Sequence, residues 1–226
     1  MVEAEYRLVS EALKLDHLRL VMGTSMGCMH SFLWGEAHPD FMDALMPLAC
    51  LPMQIAGRNR LWRAMIADAI TSDPAWKDGD YKDEPLAALR TASDILTIAG
   101  GAPIVMQKTM PTRDDADRAL QTRLKKDLAT LDANDLLYQV SSSRNYDPSA
   151  KLGTIKAPVM WVNSADDFIN PPELGIAERM VKTIPKARFV LIPASENTRG
   201  HGTHTAAAFW KDDLAALLEE SARAGK

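Results

Sequence analysis

A short apolar run, Leu18-Arg19-Leu20-Val21-Met22, breaks off into Gly23-Thr24-Ser25-Met26-Gly27, and the chain goes on as a helix-compatible stretch from Cys28 to Ala37. Strand, glycine turn and helix make one α/β unit, and a chain organised around it stacks its strands as a parallel sheet between helices. The helix stops before His38-Pro39-Asp40, since proline cannot continue it. Ahead of the run, Tyr6, Leu8, Val9, Ala12, Leu13 and Leu15 fall mostly on one side of a 3.6-residue period, which predicts a helix.

The rhythm returns later in the chain. A second strand is expected within Met42 to Cys50, a third over Ala157 to Asn163 and a fourth over Ala187 to Ile192. Pro172 to Ile184 fits a helix between the last two, and Phe209 to Ala222 closes the chain with Trp210, Leu214, Leu217 and Leu218 on one face. Between the second and third strands lies a long interval with amphipathic stretches near Leu61–Ile70, Pro85–Ile98 and Arg113–Leu131 and no strand pattern. An interval this long predicts an inserted helical lid, because structureless loops of such length are uncommon. The expected organisation is a core of residues 1–53 and 151–226 with a lid over 54–150.

At 226 residues, 46% of them hydrophobic and 25% charged, the chain is long enough for one substantial core. A net charge of −4 offers no positive field for phosphate backbones, so sequence-blind nucleic-acid binding is excluded as an expectation. Cys28 and Cys50, the only cysteines, form no C-x-x-C pair and sit in apolar surroundings. They are read as reduced packing residues of a reducing compartment, without a disulfide framework or a zinc site. The start carries no basic segment followed by an apolar one, and no apolar run reaches membrane-spanning length, so a cytoplasmic protein without membrane contact is expected.

The glycine turn also fits G-x-S-x-G in its required context, a strand before and a helix after. Such a turn lifts a serine hydroxyl clear of the backbone and leaves the amide of Met26, at the helix N-terminus, as an oxyanion donor. A serine nucleophile needs a base, and the base an orienting acid, in the chain order serine, acid, histidine. After the third strand come Asp166 and Asp167; after the fourth come His201 and His204. Both pairs are expected at the same end of the sheet, and the residues alone leave each choice open.

These segments together resemble the homoserine O-acetyltransferase-like branch of the α/β-hydrolase superfamily. Gly23-Thr24-Ser25-Met26-Gly27-Cys28-Met29 is similar to that family's nucleophile segment, Asp73-Pro74-Ala75-Trp76 with Gly79 and Tyr81 to its D-P-x-W-x-x-G-x-Y, and Leu131-Asp132-Ala133-Asn134 with Tyr138 and Tyr146-Asp147 to its segment before the third strand here. The acid loop resembles S-D-x-x-x-P-P-E, whose spacing selects Asp167, and Gly200-His201 resembles the family's G-H pair, which selects His201. The resemblance implies a partial α/β-hydrolase fold of about four parallel strands, with Ser25, His201 and Asp167 as the triad and no cofactor, acetyl-CoA serving at most as an acyl-donor substrate. A small ester or acyl-CoA is the implied substrate.

The chain departs from the family in three respects. It begins one helix ahead of the nucleophile strand, so the preceding half-sheet and the loop that gives a second oxyanion donor are expected to be missing. The strand from Leu18 to Met22 then becomes an open apolar edge, which predicts a homo-oligomer. It also sets a second reading beside the enzyme: a catalytically impaired, truncated remnant that works as a dimerising or binding module. Gly202 stands where the family commonly has an acid after its histidine, which tilts the expected reaction from homoserine acylation toward hydrolysis. Thr24 and Cys28 replace usual glycines, altering the pocket. Arg58, Arg60 and Arg63 are candidates for a substrate carboxylate or coenzyme A phosphate, against the plainer reading of a solvated helix face, and Tyr81 is a further candidate substrate contact.

Overall fold

The computed structural model describes residues 1–222. Helix α1 (Val2–Arg7) and a wider turn over Leu8–Ala12 lead to strand β1 (Val21–Thr24), helix α2 (Met26–Ala37) and strand β2 (Leu45–Leu48). Helices α3 (Gly57–Thr71), α4 (Leu86–Ala99), α5 (Pro103–Thr109), α6 (Arg113–Asp127) and α7 (Ala133–Ser141) follow, then β3 (Val159–Ser164), α8 (Ile176–Met180), β4 (Ala187–Ile192) and α9 (Lys211–Glu220). The strands form one parallel sheet in the order β1-β2-β3-β4, the α/β fold class that the alternation of strands and helices predicts.

The inner strands β2 and β3 are buried along their whole length, and their side chains divide by parity between two apolar layers. Leu45, Val159 and Trp161 meet Phe32 and Trp34 of α2 on one face, with Ala177 and Ile184 alongside. Met46, Leu48, Met160 and Val162 pack under Leu214 and Leu217 of α9 on the other. The outer strand β4 pairs over the whole of its expected range, Ala187–Ile192, whereas β1 is a shorter ladder than its apolar run predicts. Leu18 joins Met42 in an isolated bridge, and continuous pairing starts only at Val21 with Leu45.

Of the five helices between β2 and β3, three bury a core of their own, with Trp62, Ile66 and Ile70 of α3 against Leu89 of α4 and Leu136 and Val140 of α7. Two quoted motifs meet there. Asn134 accepts from the Trp76 indole at 2.8 Å, donates to the Gly79 carbonyl at 3.0 Å, and gives its backbone N–H to the Tyr81 hydroxyl at 3.0 Å. Asp132 caps α7 through the Asp135 amide at 2.8 Å, and Asp73 holds the amides of Ala75 and Ala88.

One expectation is overturned. Cys28 and Cys50 are joined as a disulfide, their Cα atoms 5.8 Å apart. The reason is topological: α2 crosses back over β1 and β2, so its first turn lies beside the residue that leaves the end of β2. Both cysteines are fully buried, in agreement with apolar surroundings, but they are not reduced. The cysteines therefore no longer argue for a reducing compartment. Among the described residues, no helix is long and apolar enough to cross a membrane.

Candidate active site

Ser25 sits between β1 and α2 with φ 54° and ψ −111°, a conformation non-glycine residues rarely adopt, and its N–H is held by the Leu48 carbonyl at 2.8 Å. The strained turn exists because the strand and helix approach closely at its two ends. A Cβ on Gly23 would lie 2.1 Å from the Gly27 carbonyl oxygen, so only glycine fits there. Met26 is the first residue of α2, one of the positions whose N–H has no acceptor within the helix.

The loops after β3 and β4 converge on Ser25. His201 places Nε2 2.8 Å from Ser25 Oγ and Nδ1 2.9 Å from Asp167 Oδ2. Asp167 is 2% exposed; its Oδ1 accepts the Ile169 amide at 2.8 Å and its Oδ2 the Asn170 side-chain amide at 2.9 Å. Burial alone would push this carboxyl up, but the hydrogen bonds from His201, Asn170 and Ile169 bring it below the usual aspartate range. An ionised Asp167 accepts, so His201 Nδ1 carries the proton and Nε2 is left to accept from the Ser25 hydroxyl.

Of the two acids and two histidines, the structure brings Asp167 and His201 to the serine. His204 stacks edge-on to His201, ring centres 5.2 Å apart, with a buried Nδ1 that has no hydrogen-bond partner among the described residues. Burial first, and the neighbouring His201 second, push its imidazole below the ordinary histidine value. Asp166 turns instead to the loop that carries His201. Asn170 is a residue that sequence reasoning missed: its amide bridges Asp167 and the Ala49 carbonyl, the latter at 3.0 Å. The available signal was its place three residues after Asp167 and directly before Pro171-Pro172.

The arginines part company. Arg58 lies over the Phe168 ring at 3.7 Å and donates to the Phe168 carbonyl at 2.6 Å. Arg60 is half-buried on α3, beside Arg63. Arg63 donates to Asn59 at 2.9 Å and Ser143 at 3.3 Å, and among the described ion pairs it has no carboxylate. Burial, with Arg60 adding repulsion, brings its guanidinium down to about 10. Ser142, next to Ser143, donates to the Gln139 carbonyl at 2.9 Å and rests its Oγ 3.2 Å from the Met26 sulfur, so this end of α7 abuts the serine turn. Tyr81 is placed elsewhere, accepting from Asn134 inside the helical insertion.

Two cavities meet α2 at Met29, which borders both. One of about 890 Å³ is largely apolar and runs past Leu51, Phe168, Met106 and Arg58 to Asp167. The other, of about 210 Å³, is bordered by Met26, His30, Ser143 and Tyr146. Among the described residues, no three His, Cys, Asp or Glu side chains gather as metal ligands.

Comparison with known proteins gives this geometry a family. A model described as the alpha/beta hydrolase fold matches residues 2–197. A probable acyltransferase of Methanothermobacter thermautotrophicus is 27% identical over 192 residues, 84% of this chain and 57% of that protein. A homoserine O-acetyltransferase of Haloarcula marismortui is 30% identical over 183 residues, 66% of this chain and 42% of that protein. Among solved structures, the acetyl esterase MekB superposes with a TM-score of 0.78 at 25% identity, covering 97% of this chain and 66% of that one. This chain thus spans about half the length of the curated relatives it matches.

Proposed function

The chain belongs to the alpha/beta hydrolase fold family, in its homoserine O-acetyltransferase-like branch, and on that premise we propose that it is a serine-dependent acyl-transfer enzyme. The observation that carries the proposal is the hydrogen-bonded line from Ser25 Oγ through His201 to a buried Asp167, anchored at a strained turn. Ser25 Oγ attacks the carbonyl carbon of a small ester or thioester while its proton passes to His201 Nε2. The oxyanion that forms takes the Met26 N–H. The tetrahedral species collapses, the leaving alcohol or thiol takes the proton from His201, and an acyl-Ser25 remains.

The second half repeats these steps with a new nucleophile. Water, deprotonated by His201, regenerates Ser25 and releases an acid. An acceptor alcohol in its place receives the acyl group. Gly202, where the family commonly has an acid, favours water, while Arg63, half-buried and without a carboxylate partner among the described residues, offers a seat to an acceptor or ester that carries one. Acetyl donors are the ones to try first, as the relatives' names indicate, simple acetyl esters and acetyl-CoA among them. The inserted helices act as a lid over residues 54–150, walling the site from water, with residues 1–53 and 151–226 as the core beneath.

The proposal is tested by following acid release from short-chain esters and acyl-CoA, with and without added amino-acid alcohols. The intact protein is expected to turn over at least one donor, and Ser25→Ala none of them. Equal rates for the two would overturn it.

A further inference from the structure

Asp166 has its own set of partners, none of them the imidazole. Its Oδ2 accepts from the Thr198 hydroxyl at 2.7 Å and from the Gly200 N–H at 3.1 Å, and its Oδ1 takes the Ser164 hydroxyl. Thr198 has a single hydroxyl proton and also faces the Ser195 carbonyl at 2.8 Å; the charged carboxylate is the stronger acceptor. The same hydroxyl oxygen accepts the Ser195 N–H at 2.9 Å. Thr198 is therefore a fully buried post on which the loop turns, and Asp166 fixes it.

Gly200 is constrained twice more. Its φ is +57°, and a Cβ there would fall 2.6 Å from the Gly101 carbonyl oxygen, so the loop is pressed against the end of α4 at the residue just before His201. Thr203, also fully buried, accepts the Arg199 N–H at 2.8 Å and closes the turn from the far side. The position of His201 is thus set by backbone contacts on both sides of it, and Asp166 supplies the charged one.

We infer that Asp166 is a positioning residue for His201: consecutive carboxylates hold consecutive residues, Asp166 gripping the Gly200 backbone and Asp167 the His201 ring, so that Nε2 stays in register with Ser25 Oγ. The inference rests on the reading of these residues as an acyl-transfer site. It also accounts for the adjacent acids, which compete for one role in the sequence and divide two roles in the fold.

The test uses the full chain with Asp166→Ala, Asp166→Asn and Thr198→Val. The rate of Ser25 modification by a fluorophosphonate is read together with the deshielded proton resonance of His201 Nδ1–H. Asp166→Ala is expected to slow modification roughly ten- to a hundredfold, as a small displacement of a reacting group does, and to broaden the resonance. Asp166→Asn keeps an acceptor oxygen for Gly200 and Thr198 and is expected to recover to within about threefold of the parent. Thr198→Val keeps the shape but removes the hydroxyl that donates to Asp166 and accepts the Ser195 N–H; it is expected to slow the reaction, and supplies the reading where Asp166→Ala is unfolded. Parental rate and resonance in Asp166→Ala, or in Thr198→Val where the former is unfolded, overturn the inference. An Asn variant as impaired as Ala does so too, because charge and not placement would then be at work. A parent that is not modified at all counts against the acyl-transfer reading, while the resonance still reports whether Asp166 holds the imidazole.

Discussion

Gly23 and Gly27 face each other across the turn so closely that a methyl group on the first would lie 2.1 Å from the carbonyl oxygen of the second, whereas one on Gly27 meets nothing within 4 Å. The two glycines of the motif are therefore unequal. Gly23→Ala is expected to cost about 3 kcal/mol by displacing the helix start, and to remove activity with it. Gly27→Ala is expected to fold at least as well as the parent, gaining up to about 1 kcal/mol of helix propensity. Thermal denaturation of both variants checks the asymmetry; equal losses would contradict it.

The Cys28–Cys50 disulfide ties the first turn of α2 to the segment beyond β2, closing a sequence separation of 22. A loop of that size is expected to contribute about 3 kcal/mol by restricting the unfolded chain. Because both sulfurs are buried, reductant is expected to act on the unfolded chain first. Thiol alkylation followed by mass measurement, without and with denaturant, checks this: no label on the native protein, and two labels once it is unfolded and reduced.

Glu36, on α2, has a buried Oε1 without a hydrogen-bond partner among the described residues. Burial pushes its carboxyl up to about 7, with Lys151 pulling it back and Asp147 adding to the rise. The folded value lies above the unfolded one, so between the two the folded state holds more protons and stability falls as pH rises. Glu36→Gln is expected to stabilise the protein by about 1–2 kcal/mol at pH values above the folded one, after allowance for partial solvent screening, and to change little in acid. Melting temperatures of parent and variant across that range decide it; a constant difference would refute the assignment to Glu36.

Much of the candidate site was legible because strand ends and short polar loops announce themselves. Ser25, Asp167 and His201 each follow an apolar run, and a parallel sheet brings such loops to one end. The choice of Asp167 over Asp166 was not in the residues themselves; it came through the family spacing, and the different partners of the two acids appear only in the fold. Strand limits were overrun, since Leu18 and Met42 are apolar for packing reasons while the ladder starts later, at Val21 and Leu45. Helix α5 is too short to show in periodicity alone, whereas α7 carries a legible apolar stripe of Ala133, Leu136 and Val140 that was not among the expected helices. The disulfide was illegible for a sharper reason: pairing at such separation depends on the crossover of α2 over β2, which no local pattern records.

The central claim, that Ser25 is an activated nucleophile, is tested most directly by intact mass after incubation with a fluorophosphonate, beside Ser25→Ala. The account predicts one adduct on the parent, located at Ser25, and none on the variant. A folded parent that stays unmodified, or a variant modified as readily, would contradict it.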